Sequence, residues 1–200
     1  MPRRSAAEAR ETRARILRRA VELAALDGLE GVTIGRLADD LSMSKAGVYG
    51  HFGSKEALQL ATFALAIEQF QELVTSKADG TTAGVERLRR LCDAWVDYLA
   101  AGGIAEGGCF LTAAATEFDN RPGPVRDAVA QAGERWLSYL GHLAAAAVEA
   151  GELPSDTDPA QIAFELNGIA MSANQAIQLQ RDTSAPRRAR RAMHRTVGGS

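Results

Sequence analysis

Apolar residues recur at helical spacing along almost the whole of this 200-residue chain, and nowhere do β-branched residues alternate with polar ones as a half-buried strand requires. That property restricts the fold to packed helices, and the frequent alanines favour the same outcome. The spacing predicts a first helix over 7–26, with Ile16, Ala20, Leu23 and Ala24 on one face and Asp27-Gly28 as a left-handed stop. Thr33 then caps a short helix that carries Ile34, Leu37, Ala38 and Leu41 inward. After the tight turn Ser42-Met43, Ser44 caps a second short helix from Lys45 to about Gly50, ended by Gly53. Ser54 caps a long amphipathic helix holding Leu58, Phe63, Leu65, Ile67, Phe70 and Leu73. Further helices are expected at about 83–101, 109–119, 123–150 and 159–180.

Charge divides this helical chain unevenly. The formal net charge is −2, which looks unsuited to a polyanionic partner. Residues 1–60, however, carry ten basic against eight acidic side chains, 61–180 seven against sixteen, and 181–200 six against one. Seven arginines fall within 1–19, facing only Glu8 and Glu11. Local charge governs attraction to phosphate, so the average hides a basic head, an acidic body and a basic end.

The first thirty residues lack the apolar core of a secretory signal, and no run reaches the roughly 18–20 apolar residues of a membrane span. Cys92 and Cys109 lack metal-ligand or CxxC spacing and sit among apolar neighbours. A cytoplasmic protein with no membrane contact, no metal and no cofactor is the expectation. Glu106, Glu117, Asp119 and His142 form no known catalytic spacing, since no HExxH, phosphate loop or nucleophile elbow is present. Catalysis is therefore not expected.

The segment 33–55 carries the chemistry. Two short capped helices around a tight turn make a helix-turn-helix, whose projecting second helix fits a major groove ~12 Å wide. Ser44, Ala46 and Gly47 are small enough to let that helix approach base edges and phosphates, with Lys45 among them. Its positive N-terminal end favours phosphate, and Tyr49 and Lys55 flank the surface with a hydroxyl and an ammonium.

Thr33, Ile34, Leu37, Ala38, Ser44, Lys45, Tyr49, Phe52, Ser54, Lys55, Glu56 and Leu58 together closely resemble the DNA-binding signature of the tetracycline-repressor (TetR) family of bacterial transcriptional regulators. The resemblance covers about a quarter of the chain. It implies an all-α protein with a three-helix DNA reader over 1–53, a linking helix over 54–80, and a helical ligand-binding and dimerisation domain over 81–182. It also implies that Thr33, Tyr49 and Lys55 contact phosphates, while Ser44, Lys45, Ala46 and Gly47 lie in or beside the groove. Two departures stand out. Leu41-Ser42-Met43 replaces the family's frequent Ala-Gly turn, and Gly50 replaces a larger residue, leaving the neighbouring His51 as a contact or a solvent-facing helix end.

The same resemblance implies a homodimer on a palindromic operator in double-stranded DNA, released by a small-molecule inducer. The last two long helices are the expected dimer surface, through Trp136, Leu140, Leu143 and the alanines 144–147, and through Gly168, Ala170, Ser172 and Ala173. Residues expected to line an inducer pocket are Trp95, Tyr98, Phe110, Phe118, Trp136, Tyr139, His142, Asn167 and Asn174. An arm at Arg3-Arg4 is expected along phosphate or the minor groove. Residues 183–200 read as a basic, solvated tail, although the Ala-Arg spacing after Pro186 permits a short helix. The alternative to ligand release is a ligand-independent regulator, or one that senses oxidation through Cys92 and Cys109.

Overall fold

The computed structural model describes residues 6–80 and 84–198. The arm at Arg3-Arg4 lies outside the described residues. The described chain is built from helices: α1 (Ala6–Asp27), α2 (Ile34–Asp40), α3 (Lys45–Phe52), α4 (Lys55–Leu73), α5 (Val85–Ala100), α6 (Phe110–Phe118), α7 (Pro124–Glu149), α8 (Pro159–Gln178) and α9 (Ala185–Thr196), with one 3-10 turn at Thr75–Ala78. The all-α architecture with an N-terminal helix-turn-helix and a helical C-terminal part is as the periodicity requires.

Local chemistry sets the ends of the short helices. Thr33, Ser44 and Ser54 are extended residues whose hydroxyls accept from the backbone N–H three positions on, at Arg36, Gly47 and Ala57. Between α2 and α3, Met43 N–H returns to the Ala38 carbonyl at 2.8 Å, and Ser42 sits at a φ of +53°. This is the turn where the sequence departs from the family's Ala-Gly: a serine takes the left-handed position that glycine fills without a Cβ penalty.

Two buried clusters organise the packing. One joins α1, α2, α3 and the first half of α4 through Ile16, Ala20, Leu23, Leu37, Val48, Leu58 and Phe63, and it continues into Phe110, Ala114 and Phe118 of α6 and Val125, Val129 and Ala132 of α7. The other joins Phe70 at the end of α4 to Leu88, Leu91, Trp95 and Leu99 of α5, Leu140 and Leu143 of α7, Leu166 of α8 and Met193 of α9. The three-helix head therefore shares its core with α6 and the start of α7 as well as with α4. Each fully buried Leu or Ile contributes about 1.5–3 kcal/mol.

The basic end is not a solvated tail. α9 lays Ala185, Ala189, Met193 and Val197 against α5 and α8, with Met193 fully buried. Its outward cations meet acids of α5: Arg190 Nε donates to Asp93 at 3.0 Å, Arg190 Nη2 to Asp97 at 2.5 Å, and His194 Nε2 lies 2.9 Å from Asp93. The helix starts where Asp182 Oδ1 accepts from both the N–H and hydroxyl of Ser184. Those bonds hold the Asp182 carboxyl below its ordinary value.

Candidate nucleic-acid interface

The reading helix α3 is anchored by a single fully buried side chain, Val48, with Met43 and Phe52 packed beside it. The opposite face is open. Thr33, Ser44, Lys45, Ala46, Tyr49 and Gly50 are exposed, with Tyr49 at 54%, and Gly47, His51 and Lys55 are half-buried. Apart from Arg3-Arg4, each residue that the sequence assigns to DNA contact is thus at least partly open to solvent. Thr33 and Ser44 spend one acceptor on capping and keep the hydroxyl hydrogen for an outside acceptor such as phosphate. Arg13 of α1 stacks its guanidinium 5.0 Å from the Phe52 ring centroid, which adds charge next to the end of α3.

Lys55 is not idle. Its Nζ donates to Glu30 Oε1 at 2.5 Å, and Gln59 donates to Glu30 Oε2 at 3.0 Å and to the Leu29 carbonyl at 3.2 Å. The Lys55 bond, followed by the Gln59 bond, holds the Glu30 carboxyl below its ordinary value. On the other side of the same loop, Glu117 at the end of α6 accepts from Leu29 N–H and Glu30 N–H, each at 2.8 Å. Gly28 makes room for that carboxylate: it has a φ of +80°, and a Cβ there would stand 3.0 Å from both Glu117 oxygens. Gly107, just before α6, is equally constrained, since a Cβ would collide with the Ala25 carbonyl of α1. α6 is therefore clamped onto the reading head at two points.

The other end of α6 borders a half-open cavity of about 520 Å³ lined by α4, the 3-10 turn, Arg87 of α5 and α7. Ile67, Phe70, Leu111, Trp136 and Tyr139 supply its apolar wall, and Arg87 and Arg135 stand among its polar residues. Behind that wall the rings continue edge-to-face, with Trp95–Trp136 centroids 4.8 Å apart and Phe70–Tyr98 centroids 5.3 Å apart. Burial pushes the Tyr98 phenol above its ordinary value, so it stays neutral.

Comparison with known proteins settles what kind of molecule this is. Residues 16–62 match the model described as bacterial regulatory proteins, tetR family, and residues 84–193, more than half of the chain, match tetracyclin repressor-like, C-terminal domain. The chain belongs to the TetR family. It is 29% identical over 162 residues to the HTH-type transcriptional regulator SrpR of Pseudomonas putida, covering 79% of this chain and 71% of that protein. A TetR transcriptional regulator from Chloroflexus aurantiacus superposes with a TM-score of 0.87 at 24% identity, covering 94% of each chain. AibR, solved in complex with isovaleryl coenzyme A and operator DNA, superposes with a TM-score of 0.70 at 23% identity over 91% of this chain and 95% of that one. This TetR-family chain is thus a DNA-binding transcriptional regulator and not an enzyme.

The nine residues expected at an inducer pocket separate into groups. Trp136 and Tyr139 line the cavity, and Trp95 and Tyr98 form the ring layer behind it. Phe110 and Phe118 instead face the cluster under the reading head, Phe110 against Phe63 with ring centroids 6.2 Å apart. His142 lies in an open groove between α7 and α8, its Nδ1 2.7 Å from the Ser138 carbonyl of its own helix. Asn167 Nδ2 donates to Met171 Sδ at 3.5 Å and Asn174 Oδ1 accepts from Cys109 N–H at 2.8 Å, and neither residue lines the cavity. The expected dimer residues divide similarly: Leu140, Leu143, Ala144, Ala147, Ala170 and Ala173 are buried inside the subunit, whereas Gly168 and Ser172 are exposed.

The roles of Glu30, Gln59 and Glu117 beside the reading head are not legible in the sequence. Their partners lie 25 to 88 residues away, and carboxylates at helix ends look alike in sequence. Among the described residues no group of three His, Cys, Asp or Glu is placed to hold a metal ion, and no helix is long and apolar enough to cross a membrane.

Proposed function

We propose that this TetR-family regulator is a homodimeric cytoplasmic repressor that holds a palindromic operator and releases it when a small molecule enters the cavity between α4, α5 and α7. The observation that carries this reading is the path of α6. Its first turn places Leu111 at the cavity wall, and its last turn places Glu117 on the backbone of the loop that leads into α2. An occupant that displaces Leu111 moves a rigid helix, and the clamp on Leu29 and Glu30 passes that movement to the reading head. Tyr49, Lys55 and Thr33 would bear on phosphates, and Ser44, Lys45, Ala46, Gly47 and His51 would lie at the groove.

Dimerisation is supported by the outer face of α7 and α8. Leu137, Phe164 and Met171 are large apolar side chains left exposed there, with Gly141 in the groove beside the first two. A two-fold axis through this face would present two reading helices to half-sites one helical turn apart, about 34–36 Å.

The test is selection of bound sequences from random DNA, followed by a screen for compounds that release the selected site. A palindromic consensus released by at least one compound is expected. A consensus without two-fold symmetry would overturn the dimeric reading, and a site released by no compound would overturn the effector reading.

A further inference from the structure

The cavity between α4, α5 and α7 has an unbalanced polar inventory. Trp136 Nε1–H and Arg87 Nε–H are buried and without a partner among the described residues, and both residues line it. Arg135, at its exposed edge, makes no hydrogen bond or ion pair with any described residue. The hydroxyls of Thr75 and Ser76 already donate, to the Gln71 carbonyl at 2.6 Å and to the Glu72 carbonyl at 2.5 Å. Of the two acids, Asp79 is taken by Arg87 Nη2 at 3.1 Å. Glu72 is exposed and also borders the neighbouring groove, where Arg10, Arg13 and Arg18 stand. The buried side-chain groups of the lining left without a partner are therefore both donors, and Arg135 adds a guanidinium at the edge. A buried donor without an acceptor costs free energy until something supplies one.

We infer that this cavity takes a small carboxylate with an apolar, ring-sized body. The carboxylate accepts from Arg135 and from the Trp136 and Arg87 N–H groups, while Ile67, Phe70, Leu111 and Tyr139 cover the body. Guanidinium and carboxylate are matched in geometry as two parallel bonds. The inference deepens the effector reading and rests on it for the consequence of binding, but not for the chemistry of the site.

Trp95 and Trp136 are the only tryptophans of the chain, and they touch each other at this site, so intrinsic emission reports occupancy. The full-length protein is titrated with 4-phenylbutyrate, octanoate, 4-phenylbutyramide and 4-phenylbutylamine, by emission and by calorimetry. Saturable binding of at least one carboxylate is expected, with the amide at least about tenfold weaker, because a charge-assisted bond to arginine is lost. Arg135→Gln should bring the carboxylate down to the amide's affinity at unchanged melting temperature. Tighter binding of the amine, no saturable response to either carboxylate, or a preference that survives Arg135→Gln each overturns the inference. Binding of the carboxylate without release of the selected operator leaves the site assignment standing and overturns the effector reading instead.

Discussion

Lys55 Nζ and Glu30 Oε1 meet at 2.5 Å, so the cation that the family pattern directs at DNA is engaged by a carboxylate of its own chain. The pair is half exposed, which limits its worth to about 0–1 kcal/mol. In a DNA complex the same carboxylate competes with phosphate for the ammonium and adds negative charge near the backbone. Glu30→Gln should therefore tighten operator binding severalfold at low salt and steepen the salt dependence by up to about one unit of log–log slope. Dissociation constants at several salt concentrations check this, and weaker binding would mean that Glu30 aims Lys55 instead of restraining it. The pH sign is fixed by the lowered Glu30 value, which arises first from the Lys55 bond. The bridge is fully present above the ordinary carboxylate range and is lost only as pH falls through the lowered value.

Glu117 should matter more to the reading head than its distance from α3 implies. Replacing it with alanine leaves two backbone N–H groups without their acceptor, and Leu29 N–H is partly buried. The expected cost is about 1–3 kcal/mol, or a fall of several degrees in melting temperature. Amide exchange at Leu29 and Glu30 should accelerate while exchange in α5 and α8 stays as it was. Gly28→Ala should act at the same spot through its positive φ and the collision with Glu117.

What could be read beforehand follows the range of each interaction. Ser44 and Ser54 announce helix starts because a capping bond spans three residues, and Val48 announces the inner face of α3 because its neighbours are small or polar. Phe110 and Phe118 show the opposite case. Both were legible as buried aromatics, but which of two cores a helix face meets depends on helices far away in sequence. The spacing after Pro186 permitted the helix α9, but its burial was not legible because arginines dominate its composition, although Ala185, Ala189, Met193 and Val197 repeat every four residues. The clamp from Glu117 to Leu29 crosses 88 residues and leaves no local trace.

Met193 is fully buried among α5, α8 and α9, which makes the basic end part of the core. Met193→Ala should cost about 2–5 kcal/mol, enough to lower the melting temperature by roughly 5–15 °C. Arg191→Ala, on the exposed side of the same helix, should change it by no more than about 0.5 kcal/mol. Thermal unfolding followed by circular dichroism separates the two, and equal melting temperatures would show α9 to be dispensable.

Thiol sensing would require a reachable thiolate. Both sulfurs are buried; burial pushes the Cys92 thiol up to about 12 and the Cys109 thiol likewise upward. The folded protein should therefore leave both cysteines unmodified by iodoacetamide at neutral pH, with full labelling only in denaturant, as read by intact mass. Operator binding should likewise survive peroxide. Rapid labelling of either cysteine in the folded state would restore the oxidation-sensing alternative.

Phe164 is 69% exposed on α8, with Leu137 of α7 across the groove and Met171 two turns further along its own helix. An isolated exposed apolar residue needs no explanation, but three large ones on the face of the two most extensively paired helices form a patch that water disfavours. If a second copy covers this patch, Phe164→Glu places a charge on the two-fold axis region of both subunits at once. The expected result is a monomer by sedimentation at micromolar concentration. Its melting profile should keep the cooperativity of the isolated subunit, because Phe164 is largely exposed and belongs to neither buried cluster. Operator affinity should then fall by orders of magnitude while nonspecific binding persists, since each head still carries its phosphate contacts but the two are no longer linked. An unchanged dimer would place the interface elsewhere on the chain.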